Sequence, residues 1–260
     1  MNGIKQDNLQ LLERSFSILD YISRMDRPCS LKEVTEATEI SKPSVHRILS
    51  TLTSNLLLVK DEHARYRMGP KMLQWARACK GNSELLTVSA PYMERIWDAS
   101  GETIHLVSYE NGHAYYLRKK ESRYPLQMYS RVGDKLLLHA TAAGKAILFS
   151  LPEEEFAGYM NKAPLERRTP HTITESERFY EQRKRFMEKG FCEEKQENEL
   201  DIRCIASAVL NSDGYPLGAI SITCPVYRCD DGRAVQLGHL LVSVIPELSR
   251  KFGYNGYMGE

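Results

Sequence analysis

Apolar positions recur at helical spacing over the first seventy residues and then give way to a mixed pattern of strands and helices. From about Leu9 to Arg24, Leu12, Phe16 and Leu19 form one stripe, with Leu11, Ile18 and Ile22 beside it. This predicts a first helix, which Pro28 keeps from continuing. Ser30-Leu-Lys-Glu33 has the form of a capping box, where the serine hydroxyl accepts from the Glu33 amide and the glutamate reaches back. A second helix should follow, with Leu31, Val34 and Ala37 inward. After a turn at Glu39-Ile40, Ser41 offers another N-cap, and Pro43 is tolerated in a first turn. The third helix, about Lys42 to Asn55, aligns Val45, Ile48, Leu49, Leu52 and Leu56 on a single stripe. Leu57 to Lys60 and Arg65 to Met68 read as two short strands around the turn Asp61-Glu-His-Ala64.

Beyond Gly69-Pro70 the pattern predicts a helical stretch from Lys71 to Lys80, a break at Gly81-Asn-Ser83 and a helix from about Glu84 to Ser100. Thr103 to Tyr109 and Ala114 to Arg118 are strand-like, with Glu110-Asn-Gly-His between them as a hairpin signal. Leu126 to Arg131 reads as a third strand. Helices are expected over Ala140 to Leu148, Glu175 to Lys189 and Ala234 to Phe252. Strands are expected over Phe191 to Glu197, Cys204 to Leu210 and Leu217 to Thr223, and a loose tail from Gly253. The fold class is α+β: residues 1–70 a winged helix-turn-helix, 71–100 a helical linker, and 101–260 an antiparallel sheet flanked by helices, like a GAF or PAS sensor module.

Charge sharpens the reading of the first part. The chain of 260 residues has a formal net charge of only +1. Yet Ile40 to Lys71 holds six basic residues (Lys42, Arg47, Lys60, Arg65, Arg67, Lys71) against Asp61 and Glu62. On the third helix the side opposite the apolar stripe presents Pro43, Ser44, Arg47, Ser50, Thr51 and Ser54, with Lys42 and His46 on the flanks. Solvated helix faces usually mix Glu with Lys; a short, acid-free face of Ser, Thr and Arg suits phosphates and base edges. Arg47 is the candidate for a bidentate contact to guanine, and Ser44 and Ser50 for phosphates or bases. Arg65 and Arg67 flank Tyr66 on a hairpin suited to the backbone of double-stranded DNA.

Composition adds exclusions. Hydrophobic residues make up 42% of the chain, enough for a packed core. There is no 18-residue apolar run and no apolar stretch at the N-terminus, so neither a membrane span nor a secretion signal is expected. Six scattered cysteines without CxxC pairs speak against a disulfide framework or structural zinc, and fit a reducing cytoplasm. No cofactor and no metal is expected.

These segments resemble one family. Leu12-Glu-Arg-Ser-Phe-Ser-Ile-Leu19, Leu31-Lys-Glu-Val34, Ser41-Lys-Pro-Ser-Val-His-Arg-Ile-Leu49 and Tyr66-Arg-Met-Gly-Pro-Lys71 look like the N-terminal domain of IclR-type regulators. His139-Ala-Thr-Ala-Ala-Gly-Lys145, Glu197-Asn-Glu-Leu200 leading into Cys204-Ile-Ala206, and Gly218-Ala-Ile-Ser-Ile-Thr223 look like the hallmark segments of the family's effector domains. The resemblance runs in order over roughly residues 9 to 252. It implies a transcription regulator that binds operator DNA as a homodimer able to pair again to a tetramer. Its effector would be a small organic acid or sugar acid held in a cup on the sheet. Carried over by motif, the ligand-facing positions are Gly133 and Asp134 through backbone amides, Glu194, Cys204, Ser221 and Thr223. Ser221 and Thr223 are two apart on one strand, so their hydroxyls share a face. Glu194 stands where the family often has a shorter Asp, and Thr223 where a second Ser is common, so no known effector transfers.

Two other classes fit the sequence less well. A phosphate-binding loop at Gly144-Lys145 needs glycine at position 139, which is His139. Cys204 with His105, His139 or His171 would make a thiol nucleophile and base, but no spacing supports the pairing, and an enzyme is not expected. A winged helix that binds protein instead of DNA would differ by a weak dependence on salt.

Overall fold

The computed structural model describes residues 2–81, 84–124, 130–162 and 165–256. It divides into two compact units, Met1–Ser83 and Glu84–Glu260.

The first unit runs α1 (Asn2–Arg24), β1 (Cys29–Ser30), α2 (Leu31–Thr38), α3 (Lys42–Ser54), β2 (Leu58–Lys60), β3 (Arg65–Met68) and α4 (Lys71–Gly81). The capping box forms: the Glu33 amide donates to Ser30 Oγ at 3.3 Å and the Ser30 amide to Glu33 Oε2 at 2.7 Å. Ser41 sits at the cap position of α3 but does not cap it; its hydroxyl donates to Ser44 Oγ at 3.0 Å. The α3 stripe is buried at Val45, Ile48, Leu49 and Leu52, against Ile18, Ile22, Val34, Leu58 and Tyr66. Leu56 leaves that stripe. The helix has already ended, Leu56 takes a left-handed φ of 60° and its side chain is exposed.

On α1 the inner stripe is Ile18 and Ile22, whereas Leu12 (51% exposed) and Phe16 (56%) face outward together with Leu9. The expected hairpin β2–β3 is extended by β1, which pairs Cys29 with Tyr66 and Ser30 with Arg65, giving the order β1-β3-β2.

The second unit opens with α5 (Glu84–Ser100), then β4 (Thr103–Glu110), β5 (His113–Lys120) and the short β6 (Lys135–Leu136). Next come α6 (Ala142–Ser150), α7 (Glu153–Met160), α8 (Ser176–Lys189), β7 (Cys192–Lys195), β8 (Ile202–Leu210), β9 (Pro216–Pro225) and α9 (Asp231–Arg250). The six strands form one antiparallel sheet in the order β6-β5-β4-β9-β8-β7. The strand expected over Leu126 to Arg131 lies outside the described residues, except for Ser130 and Arg131, and neither of those is in a strand.

Alternation along the strands sorts the two faces. Ile104, Leu106, Ile205, Val209, Ile220 and Ile222 pack with α5 and α9, including Ile96, Leu241 and Ile245. Val107, Ala206, Ala208 and Ala219 pack on the other face with Phe149 of α6, Phe156 of α7, and Phe179 and Phe186 of α8. The second core stops short of one end of the sheet, and there it leaves a cup.

Candidate functional site

The outer face of α3 is open and acid-free. Lys42, Pro43, His46, Arg47, Ser50 and Thr51 are exposed and Ser44 is half-buried. Thr51 Oγ1 donates to the Arg47 carbonyl at 3.0 Å, which leaves the hydroxyl oxygen as an acceptor. Neither Arg47 nor Arg67 makes a side-chain hydrogen bond or ion pair with another described residue, so both guanidinium groups are free to meet a partner. Arg65 differs. Its Nε is 3.3 Å from Asp61 Oδ2, while Asp61 Oδ1 accepts from the His63 and Arg65 amides at 2.9 and 2.8 Å. Those bonds hold the Asp61 carboxyl below its usual range and tie the wing's turn together. The structure therefore gives Arg65 a role inside the hairpin, while the Arg67 guanidinium is unpaired among the described residues.

The cup is a cavity of about 570 Å³ in the second unit. Its floor follows from strand register. Glu194 on β7 lies opposite Cys204 on β8, which lies opposite Thr223 on β9, so three adjacent strands place these side chains in one row. In the next row Ala206 lies opposite Ser221, and Ser221 opposite His105. Asp134, Glu194, Cys204, Ser221 and Thr223 all line the cavity, joined by His105, Tyr116, Ser130, Asn198 and Glu199. Gly133 does not reach the wall. Its amide donates to the Tyr116 carbonyl at 2.7 Å and that of Asp134 to the Arg131 carbonyl at 3.1 Å, so both amides are engaged inside the chain.

The polar groups of the floor are arranged for a polar guest. Cys204 Sγ is 3.2 Å from Thr223 Oγ1, which is 3.3 Å from His105 Nδ1; His105 Nε2 in turn is 2.8 Å from Ser130 Oγ. Burial, with Lys119 nearby, pushes His105 down to about 3, so the imidazole is neutral. Ser221 lines the cavity, and its hydroxyl makes no hydrogen bond to another described residue. Glu194 is only 2% exposed, and burial pushes its carboxyl up to about 7 despite the hydrogen bond from the Glu197 amide at 2.8 Å. At the rim, Arg168 Nη1 pairs with Glu166 Oε1 at 3.0 Å, and Lys135 is exposed.

Behind the floor the hallmark segments meet. Lys145 of α6 reaches Glu197, while Thr172 Oγ1 donates to the Glu197 carbonyl at 2.6 Å. Thr141 caps α6 by accepting from the Gly144 amide at 3.1 Å. His139 is held between Tyr159 Oη at 3.1 Å and the Glu166 carbonyl at 2.9 Å.

The sequence alone does not place Tyr116, His105, Asn198 and Glu199 in the cup. Their signal is the cross-strand register and the turn after β7, which no single segment displays. The thiol–imidazole pair is not assembled: among the described residues Cys204 bonds no histidine, and burial, then Glu194, raise its thiol well above the ordinary range.

Comparison with known proteins agrees in both units. Residues 11–62 match the IclR helix-turn-helix domain, and residues 78–250 the C-terminal domain of bacterial transcriptional regulators of the IclR type. The HTH-type transcriptional repressor AllR of Salmonella typhi is 28% identical over 249 residues, 95% of this chain and 92% of that protein. The crystal structure of the Thermotoga maritima IclR superposes with a TM-score of 0.81 at 26% identity, covering 95% of this chain and all of that one. An IclR homologue from Microbacterium hydrocarbonoxydans, complexed with 4-hydroxybenzoate, has the same fold, with a TM-score of 0.75 at 20% identity over 92% of this chain and 99% of that one. With two thirds of its length under one family model and an IclR helix-turn-helix before it, this chain belongs to the IclR family of DNA-binding transcriptional regulators.

Proposed function

We propose that the chain acts in the cytoplasm as a homodimeric repressor whose grip on its operator is set by a small carboxylate-bearing molecule held in the cup. The observation that carries this reading is the coexistence of an acid-free, exposed α3 face with a cavity lined by Asp134, Glu194, Cys204, Ser221 and Thr223. Arg47 reads a base edge, with Lys42, Pro43, Ser44, His46, Ser50 and Thr51 around it, and Arg67 lies along the phosphates. Asp134 borders the ligand from the cavity wall and Gly133 supports its turn, while their amides stay engaged with the Arg131 and Tyr116 carbonyls. The relatives named as repressors support the sign of regulation, and the neighbour bound to 4-hydroxybenzoate supports an acid. The exposed Leu9, Leu12 and Phe16 of α1, with Leu73 and Trp75 of α4, support a self-association surface. Dimerisation places two recognition helices on half-sites of one operator.

The test is a titration of the purified protein against the DNA upstream of its own gene and of the neighbouring genes, at two salt concentrations. Tight, sequence-dependent binding that weakens with salt and shifts on adding an acid supports the reading. Because coupling between sites is reciprocal, DNA must change ligand affinity by the same factor. Binding of both with no mutual influence sinks it.

A further inference from the structure

An acid receptor usually offers its ligand a cation or a set of free amides, and this cup offers neither at its floor. Among the cations around it, Lys145 is engaged with Glu197, Arg168 with Glu166 and Lys119 with Glu121, while Lys135 stands exposed at the rim. The Gly133 amide donates to the Tyr116 carbonyl of β5 and the Asp134 amide to the Arg131 carbonyl. What the floor does present is a carboxyl group, Glu194, in a row with Cys204 and Thr223 and beside the unpartnered Ser221 hydroxyl. Two carboxylates brought together in a buried site cannot both stay ionised without a counter-charge; they share a proton instead.

We propose that the effector's carboxylate binds together with one proton held on Glu194, which then donates a hydrogen bond to the ligand from the floor of the cup. The inference rests on the reading that the cup takes an acid. The proton comes from solvent whenever Glu194 is ionised before binding; no bond other than hydrogen bonds forms or breaks. Among the described residues, the titratable and charged groups around Glu194 include Cys192 on its own strand, Glu197 and Glu199 from the following turn, Cys204 on β8, Tyr116 on β5 and Lys145 on α6, with His105 on β4 and Asp134 lining the same cup. Lys145, the cation among them, lies against Glu197, and the Glu197 carboxyl favours the neutral form of Glu194. The elevation of Glu194 to about 7 by burial agrees with this geometry. The extra methylene of Glu relative to Asp brings the acid group further into the cup, which suits a donor that must reach its guest.

The experiment is calorimetric titration of the full chain with 4-hydroxybenzoate, lactate, pyruvate and gluconate between pH 6 and pH 8.5, in pairs of buffers that differ in ionisation enthalpy. The expected result is uptake approaching one proton at pH 8, with affinity falling about tenfold per pH unit above 7. Glu194→Gln, whose amide donates at every pH, should bind the same acid with little pH dependence and overtake the unaltered protein at pH 8.5. Acid binding with no proton uptake and a flat pH profile overturns the inference while leaving the acid-effector reading intact. A folded Glu194→Gln protein that binds at no pH, beside an unaltered protein that takes up a proton, places the proton elsewhere and also overturns it. Binding of 4-hydroxybenzamide and none of the acids, or no binding of any probe, removes both readings.

Discussion

Lys145 Nζ lies 2.5 Å from Glu197 Oε1, with the lysine fully buried and the glutamate nearly so. The pair joins the start of α6 to the turn after β7, and that turn's Glu197 amide holds Glu194 in the cup. Removing one partner strands a buried charge, which costs about 3–5 kcal/mol. Lys145→Met should therefore destabilise the second unit by that amount in urea unfolding. The double change Lys145→Met with Glu197→Met should recover much of the loss, because no lone charge remains. Equal destabilisation by the single and double changes would show that packing, not the ion pair, matters there.

On the DNA face the three arginines should separate. Arg47→Ala is expected to weaken operator binding by about 1–3 kcal/mol and to relax sequence preference at one base pair. Arg67→Ala should weaken all sequences alike and lower the salt slope by about one. Arg65→Ala, whose side chain is engaged with Asp61, should affect hairpin stability more than DNA affinity. Fluorescence anisotropy with operator and scrambled duplexes, at several salt concentrations, distinguishes the three.

Gly144 sits where α6 meets the segment before it. A Cβ there would lie 2.6 Å from the Leu137 carbonyl oxygen and 2.6 Å from Leu138 Cα, both backbone atoms that cannot turn away. Gly144→Ala should lower stability by about 1–3 kcal/mol and loosen the adjoining wall of the cup. Thermal unfolding is the measurement, and an unchanged melting temperature would contradict the packing.

The buried titratable groups give stability a signed pH dependence. Glu194 is raised in the folded state, so between about 4.5 and 7 the folded chain keeps a proton that the unfolded chain has lost. Stability falls as pH rises through that window, by on the order of 3 kcal/mol. His105 is lowered to about 3, so its neutral burial works in the opposite sense and stability is lost as pH falls from about 6.5. The two oppose each other between 4.5 and 6.5. The comparison of Glu194→Gln with the unaltered protein isolates the first: the difference in unfolding free energy should grow from pH 4.5 to 7 and then level.

The exposed stripe of α1 predicts an oligomer. Phe16→Glu should shift the protein from dimer to monomer in light scattering without unfolding the first unit, since Phe16 lies outside its core. A monomeric unaltered protein would remove the stripe from that role.

The contrast between α3 and α1 marks what the sequence makes legible. On α3 one apolar stripe faces one polar side, and Val45, Ile48, Leu49 and Leu52 are buried as its spacing predicts, while Leu56, past the helix end, is exposed. On α1 two apolar stripes run side by side, and periodicity alone cannot say which is turned to α2 and α3. The capping box at Ser30 is local and readable; at Ser41 the hydroxyl has a nearer partner in Ser44. Helix α7 and the two-residue β6 carry too little periodicity to stand out. In the cup, Ser221 and Thr223 share a face by simple alternation. The row that aligns Glu194 with Cys204 and Thr223, and sets His105 opposite Ser221, depends on how distant strands slide past one another. Contacts of that kind are set only once the whole sheet has formed.

The alternation of β9 has a consequence for descent with change. Ser221 and Thr223 face the cup, while Ile222 between them and Ile220 before them belong to the core under α5 and α9. Strand β8 repeats the arrangement with Cys204 and Ile205. The chemistry that greets a guest and the packing that holds the domain are written on alternate letters of the same segments. A lineage can rewrite one set while copying the other, and so acquire a new chemical signal without relearning how to fold.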